Sequence, residues 1–222
     1  MAQIRGWGVT PQKRLFDIAS ALFLLVVLSP LILWVAFLIY WRDGAPVLYV
    51  SERMKAPGVP FNLYKFRTMT KTDQNTGVSG GDKSGRITKT GKFLRAKRLD
   101  ELPQLLNILK GDLSFVGPRP PLQMYVERFP EYYSKVLQSR PGVTGLATLV
   151  FHRHEEMLLR PCQSSEETDA VYARRCVPRK ARLDLIYAAH QSVFFDLRLM
   201  FATVFRAIPV RTSRKSAGLP GK

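Results

Sequence analysis

Acidic residues are scarce in this chain: Asp and Glu number 17 against 34 Lys and Arg, for a formal net charge of +17 over 222 residues. Cysteine is scarcer still. Cys162 and Cys176 alone cannot build the disulfide framework of a small secreted domain. Gly and Pro stand at 15 each, so collagen-like and low-complexity classes are excluded. Apolar residues at 46% and charged ones at 23% exclude a mainly disordered chain. The length suits one domain, or one domain plus an appendage, with enough core to fold without disulfides or a structural metal. The missing acid points to an anionic partner, without saying whether that is nucleic acid, anionic lipid or a phosphorylated substrate.

Charge is itself missing from one stretch. Residues 18–41, IASALFLLVVLSPLILWVAFLIYW, carry none. Fully helical, they would measure about 36 Å at roughly 1.5 Å per residue, against a bilayer core of about 30 Å. The run is too long for a signal-peptide core, and no small-residue cleavage site follows it. Ser29-Pro30 sits at its centre, where proline kinks a helix. Basic residues flank both ends: Arg5, Lys13 and Arg14 before, Arg42, Arg53 and Lys55 after. Cations at membrane ends favour the cytoplasmic side. Two readings fit, a spanning helix with a tolerated proline and a broken helix that enters and leaves on one face.

Beyond the run, residues 47–51 read as a strand, Pro57-Gly58 as a turn, and FNLYKFRTM (61–69) as a second strand. Period-two alternation puts Lys65 and Arg67 on one face, where two cations would meet one phosphate group or simply line a solvated edge. Residues 70–86 read as a loop, and a helix begins near Thr90. LPQLLNILK (102–110) reads as a helix stopped by Gly111 and capped by Asp100, with Pro103 in its first turn. Asp100 and Glu101 would then sit at the positive end of a helix dipole, just after Arg95, Lys97 and Arg98. That environment favours an ionised carboxylate, as a nucleophile or metal ligand requires. Two adjacent carboxylates repel, and a divalent cation shared with a phosphate relieves them. In GPRPP (117–121), prolines fix the backbone around Arg119, whose guanidinium matches a phosphate in bidentate fashion.

Together these motifs resemble the bacterial sugar transferases, the monotopic polyprenyl-phosphate phosphoglycosyl transferases. The resemblance runs through KRLFDI (13–18), the apolar run, YKFRTM (64–69), GRITKTGKFLR (85–95), LDELPQLLNILKGDLSFVGPRP (99–120) and RPGVTGLA (140–147). More loosely, it continues through LDLIY (183–187) and FDLRLM (195–200). It implies an α+β catalytic domain at residues 45–209, a re-entrant anchor broken at Ser29-Pro30 within residues 1–44, amphipathic interfacial helices, and a basic, disordered tail at 210–222. Lys13 and Arg14 would belong to the anchor. Asp100 would attack the β-phosphate of a UDP-sugar and release UMP, and a polyprenyl phosphate would then take the phosphosugar from the aspartyl intermediate. Glu101 would hold Mg²⁺ as the metal ligand. Lys65, Arg67, Arg95 and Arg119 would bind phosphates. The implied location is the bacterial inner membrane, with the catalytic domain facing the cytoplasm and exopolysaccharide or related glycan synthesis as the outcome.

The pattern departs from the family after Ala147. Residues 148–178 read as a surface insertion whose His152, His154, Cys162 and Cys176 do not match a common zinc spacing. SVFFDLRLMFATVFRAI (192–208) reads either as an interfacial amphipathic helix or as a core helix. A membrane-tethered nucleic-acid binder also accommodates the +17 charge, but no helix-turn-helix, RNP or zinc-finger signature is present. An inactive scaffold sits poorly with an intact Asp100-Glu101 and Arg119.

Overall fold

The computed structural model describes residues 9–70 and 85–204. The expectations placed on Arg5, on most of the loop at 70–86, on residues 205–208 and on the tail at 210–222 lie outside the described residues.

The first helix, α1 (Pro11–Asp43), is longer than the apolar run and is helical through Pro30. Thr10 caps it by accepting the Lys13 N–H, and Pro11 stands in the first turn, where its missing N–H costs nothing. Gly44, at φ 76°, ends it. Ser29 Oγ donates to the Val26 carbonyl at 2.8 Å, a partner inside the preceding turn. By length and composition α1 is the one described helix able to cross a membrane. Phe23, Val26, Leu33, Phe37 and Trp41 lie exposed along its length, and Ala21, Val35 and Ile39 are buried against the rest of the chain.

A hairpin follows, formed by β1 (Leu48–Ala56) and β2 (Val59–Phe66), antiparallel, with Arg53 opposite Phe61 and Tyr49 opposite Lys65. Gly58 turns it at φ 73°, the left-handed region that favours glycine. Helix α2 (Lys89–Lys97) is capped by Thr88, whose hydroxyl accepts the Gly91 N–H at 2.8 Å. A tight 3₁₀ turn, Leu99–Glu101, leads to α3 (Gln104–Lys110), which stops at Gly111 with φ 87°. Then come β3 (Ser114–Val116), α4 (Gln123–Arg128), α5 (Pro130–Val136) and β4 (Gly142–Thr144), and β4 pairs with β3 in parallel. Helices α6 (Leu146–Leu159), α7 (Ser165–Val171), α8 (Val177–Ala189) and α9 (Val193–Val204) complete the described chain, with one π-helical stretch, Tyr172–Cys176, between α7 and α8. Mixed helix and sheet is thus observed.

Two expectations are corrected here. Residues 148–178 are not a surface insertion: Phe151, Leu159, Tyr172 and Cys176 are buried in one cluster with Tyr125, Tyr133 and Val136. The helical spacing of the apolar positions in α6 was obscured by the charged residues between them. Lys13 and Arg14 are not turned to the membrane surface. Lys13 is buried, forms an ion pair with Asp196 of α9 and donates to the Val116 carbonyl at 3.1 Å. Arg14 reaches the C-terminus of α3, donating to the carbonyls of Ile108 at 2.6 Å and Leu109 at 2.9 Å, where the helix dipole favours a cation. Both residues fasten α1 to the domain. Helix α9 packs on the core as the second of its readings expects, through Asp196, Leu199 and Ala202, while Phe194 and Phe201 are exposed.

Candidate active site

The turn after α2 places the two acids. Arg98 adopts a left-handed conformation, φ 56°, which is costly for a residue with a side chain. That reversal sends Asp100 and Glu101 into the 3₁₀ turn that precedes α3, so Asp100 is not the cap of α3; Pro103 holds that position. The pair still lies close to the N-terminal end of α3.

Three cations converge on Glu101. Arg98 donates to Oε2 at 2.7 Å, while Lys65 of β2 and Arg119 stand 3.4 Å and 3.5 Å from Oε1. Burial pushes the Glu101 carboxyl up, but Lys65, Arg119 and Arg98 outweigh it and hold the group at about 2. Asp100 behaves oppositely. Burial, then the charge of Glu101, push it above its ordinary value against the pull of Lys65 and Arg95. Its carboxylate makes no side-chain hydrogen bond among the described residues. Burial and the neighbouring Arg119 push the Lys65 ammonium down to about 8, despite Glu101 and Asp100. Arg95 donates through Nε to Thr68 Oγ1 at 2.9 Å, with Asp100 in its electrostatic reach.

Close backbone packing delivers Arg119. A Cβ on Gly117 would meet the Arg140 carbonyl at 2.2 Å, and one on Gly142 would meet the Gly117 nitrogen at 2.1 Å. Only glycines let β3 and β4 run this close just before Pro118-Arg119. Met54 N–H, on β1, donates to the Pro121 carbonyl at 3.0 Å and ties the hairpin to the far side of the same loop. The result is a small cleft lined by Arg53, Lys65, Gln104, Arg119 and Val143, with Glu101 against Lys65 and Arg119.

The fold therefore gathers Lys65, Arg95, Arg119, Asp100 and Glu101. Arg67 is not with them. Strand β2 ends at Phe66, so the period-two face that carries Lys65 stops before Arg67. The buried Arg67 guanidinium instead donates to the carbonyls of Asp43, Gly44 and Ala45 at 2.5–2.9 Å, closing the C-terminal end of α1. Sequence reasoning missed Arg53, counted only among the basic flanks of the membrane run. The signal was available, because once the hairpin register is known Arg53 shares the face of Lys65. Among the described residues no group of three or more His, Cys, Asp or Glu side chains is gathered as a metal site. Mg²⁺, however, is usually held by one or two carboxylates plus substrate phosphates. Asp100 and Glu101 fit that donor set, Asp100 having no side-chain partner and Oε1 of Glu101 only two long contacts.

The bacterial sugar transferase family matches residues 9–209. A Bacillus subtilis strain 168 protein named as an uncharacterized sugar transferase, EpsL, is 37% identical over 198 residues, covering 88% of this chain and 87% of its own length. The exopolysaccharide production protein PSS of Rhizobium leguminosarum bv. phaseoli is 39% identical over 206 residues, 86% of this chain and 92% of that protein. The UDP-glucose:undecaprenyl-phosphate glucose-1-phosphate transferase of Klebsiella pneumoniae is 33% identical over 202 residues, 87% of this chain but 39% of the larger protein.

Proposed function

Because the chain belongs to the bacterial sugar transferase family, we propose that it transfers a sugar 1-phosphate from a UDP-sugar to a polyprenyl phosphate through a covalent intermediate on Asp100. The observation that carries this is the contrast inside the dyad. Glu101 is clamped by Lys65, Arg98 and Arg119, whereas the adjacent Asp100 keeps its oxygens free of side-chain partners among the described residues.

An Asp100 oxygen attacks the β-phosphorus of the donor. The bond from that phosphorus to the bridging oxygen breaks, and UMP leaves with the electron pair. An oxygen of the polyprenyl phosphate then attacks the same phosphorus, the phosphorus–Asp100 bond breaks and the carboxylate is regenerated. Phosphoryl transfer needs alignment and charge neutralisation above all. Lys65, Arg95 and Arg119 supply the cations that bind and orient the diphosphate. Glu101 holds Lys65 and Arg119 in place. Glu101, with Asp100, would also hold a Mg²⁺ ion, which when bound draws charge from the diphosphate.

The anchor reading is a helix held in one leaflet, with the domain on the cytoplasmic face of the inner membrane. Its support is that both ends of α1 pack on the same domain. Lys13 reaches Asp196 and Val116 at one end, while Val35 and Ile39 pack with Phe66 and Leu94 at the other. We divide the chain accordingly into an anchor at 1–44, a catalytic part at 45–209 and a tail at 210–222. Thr10→Cys and Arg42→Cys variants should react with a membrane-impermeant maleimide from one side of sealed vesicles. Reaction from opposite sides would overturn the one-leaflet reading.

The transfer itself is tested by intact mass after mixing the enzyme with a UDP-sugar and no acceptor. The expected result is an adduct of one sugar phosphate that disappears on adding polyprenyl phosphate. Turnover with no adduct at any time would remove the covalent route.

A further inference from the structure

The positive charge of the cleft is not matched. Lys65 and Arg119 both lean on Glu101, Arg98 is paired with the same carboxylate, and Arg95 is held by Thr68 with Asp100 nearby. Arg53 has none of these supports. Its Nε donates to Ser51 Oγ at 3.2 Å, and among the described residues it forms no ion pair. Its position follows from the hairpin. Arg53 and Ser51 on β1 share a face with Phe61, Leu63 and Lys65 on β2, because alternate residues of paired strands point the same way. The levels of Arg53 and Lys65 are four residues apart along the strands, about 13 Å at roughly 3.3 Å per residue. Both long side chains nevertheless line one cleft. The Met54 N–H bond to the Pro121 carbonyl fastens Arg53 beside the Arg119 loop. Burial, then repulsion from Arg119, push the Arg53 guanidinium down to about 10. A partly buried cation facing a second cation with no acid between them gains from a bound anion.

We propose that Arg53 is a second phosphate-binding residue of the cleft, engaging a phosphate ester other than the reacting phosphorus at Asp100. The inference rests on the transferase reading above and extends it. The same chemistry has two sources, the α-phosphate that leaves within UMP and the phosphate of the lipid acceptor.

The test uses the full chain in detergent, as wild type, Arg53→Gln and Arg53→Lys. UMP affinity is read by calorimetry and by the shift UMP causes in the melting temperature, and the KM for undecaprenyl phosphate is read separately. Loss of one charge-assisted, bidentate contact corresponds to about a 10- to 100-fold effect. If the nucleotide is the ligand, Arg53→Gln weakens UMP binding by that factor and erases most of the melting shift. If the lipid is the ligand, the acceptor KM rises by that factor and UMP binding holds. In either case Arg53→Lys, which keeps the charge and loses the fork, recovers part of the loss. It also supplies the readout if the glutamine variant does not fold. Unchanged UMP affinity and acceptor KM in a folded variant overturn the inference alone. A wild-type protein that neither binds UMP nor releases it from any UDP-sugar overturns the transferase reading and this inference with it.

Discussion

Two ionic clusters hang from one short stretch of chain, residues 116–119. At one end Lys13 donates to the Val116 carbonyl and pairs with Asp196, which also accepts from the Tyr187 hydroxyl. At the other, Arg119 reaches Glu101. The first is closed and buried. Asp196 takes Lys13 on one oxygen and the Tyr187 hydroxyl on the other at 2.7 Å, and all three side chains are buried. The second is open and unbalanced. Lys65, Arg95, Arg98 and Arg119 gather around Asp100 and Glu101, Arg53 lines the same cleft without an acid, and the Arg119 side chain is 42% exposed. The same residue types thus serve two ends. Paired and buried, they fasten the anchor to the domain. In excess and open to solvent, they form a site whose charge only an added anion completes.

The sharpest break of this comparison is at Asp100. Asp100→Asn should lower UMP release from a UDP-sugar by at least about a thousand-fold, as loss of a nucleophile does. The melting temperature should not fall, because Asp100 holds no side-chain partner among the described residues. Near-normal release would take the nucleophile's role away from it.

The closed cluster should respond the other way. Lys13→Met leaves Asp196 buried and charged, at a cost of about 3–5 kcal/mol. The melting temperature should drop sharply, while the folded fraction keeps its kcat. Adding Asp196→Leu removes the orphaned charge and should restore part of the loss. A single variant that melts normally would show that the pair is not needed to hold α1.

A third test concerns pH. Lys65 is charged below about 8 and neutral above it. The kcat/KM for the UDP-sugar should therefore fall as pH rises through about 8. Lys65→Arg, which stays charged, should move that limb upward. On the acid side, activity should rise with pH as Asp100 ionises, at a value above that of an ordinary aspartate. An unmoved basic limb in the arginine variant would assign it to another group.

The smallest effect expected is at Arg67. Arg67→Gln should cost about 1–3 kcal/mol of stability through the carbonyls it leaves at the end of α1. The KM for the UDP-sugar should stay within about twofold, a change too small for the loss of a charge-assisted contact. A tenfold rise in that KM without a change in melting would return Arg67 to the phosphates.

Elements with strong local signals were legible. The apolar run became α1, and the turn at Gly58 and the stop at Gly111 stand where the residues placed them, whereas Asp100 lies in a 3₁₀ turn rather than at the cap of α3. Hydrophobic spacing and glycine conformation are local properties, so they survive without knowledge of the fold. The destinations of the long cations did not. A Lys or Arg side chain reaches far enough to serve any of several neighbours, and its neighbours come from distant parts of the chain. Lys13 and Asp196 are 183 residues apart, and Arg67 finds its carbonyls 22 to 24 residues back. Arg53 looked like a membrane flank until the hairpin register put it on the same face as Lys65.

By itself, then, the sequence determined the chemistry on offer: a basic chain with an uncharged run long enough for a membrane, and two adjacent carboxylates preceded by cations. Tertiary structure decided which cations meet which acids. It paired Glu101 with three of them and left Asp100 with no ion pair among the described residues, and it turned Lys13, Arg14 and Arg67 inward as fastenings of α1. The physical reason is that pairing energy falls steeply with distance and depends on burial. Both quantities are fixed only when strands and helices far apart in the chain pack together.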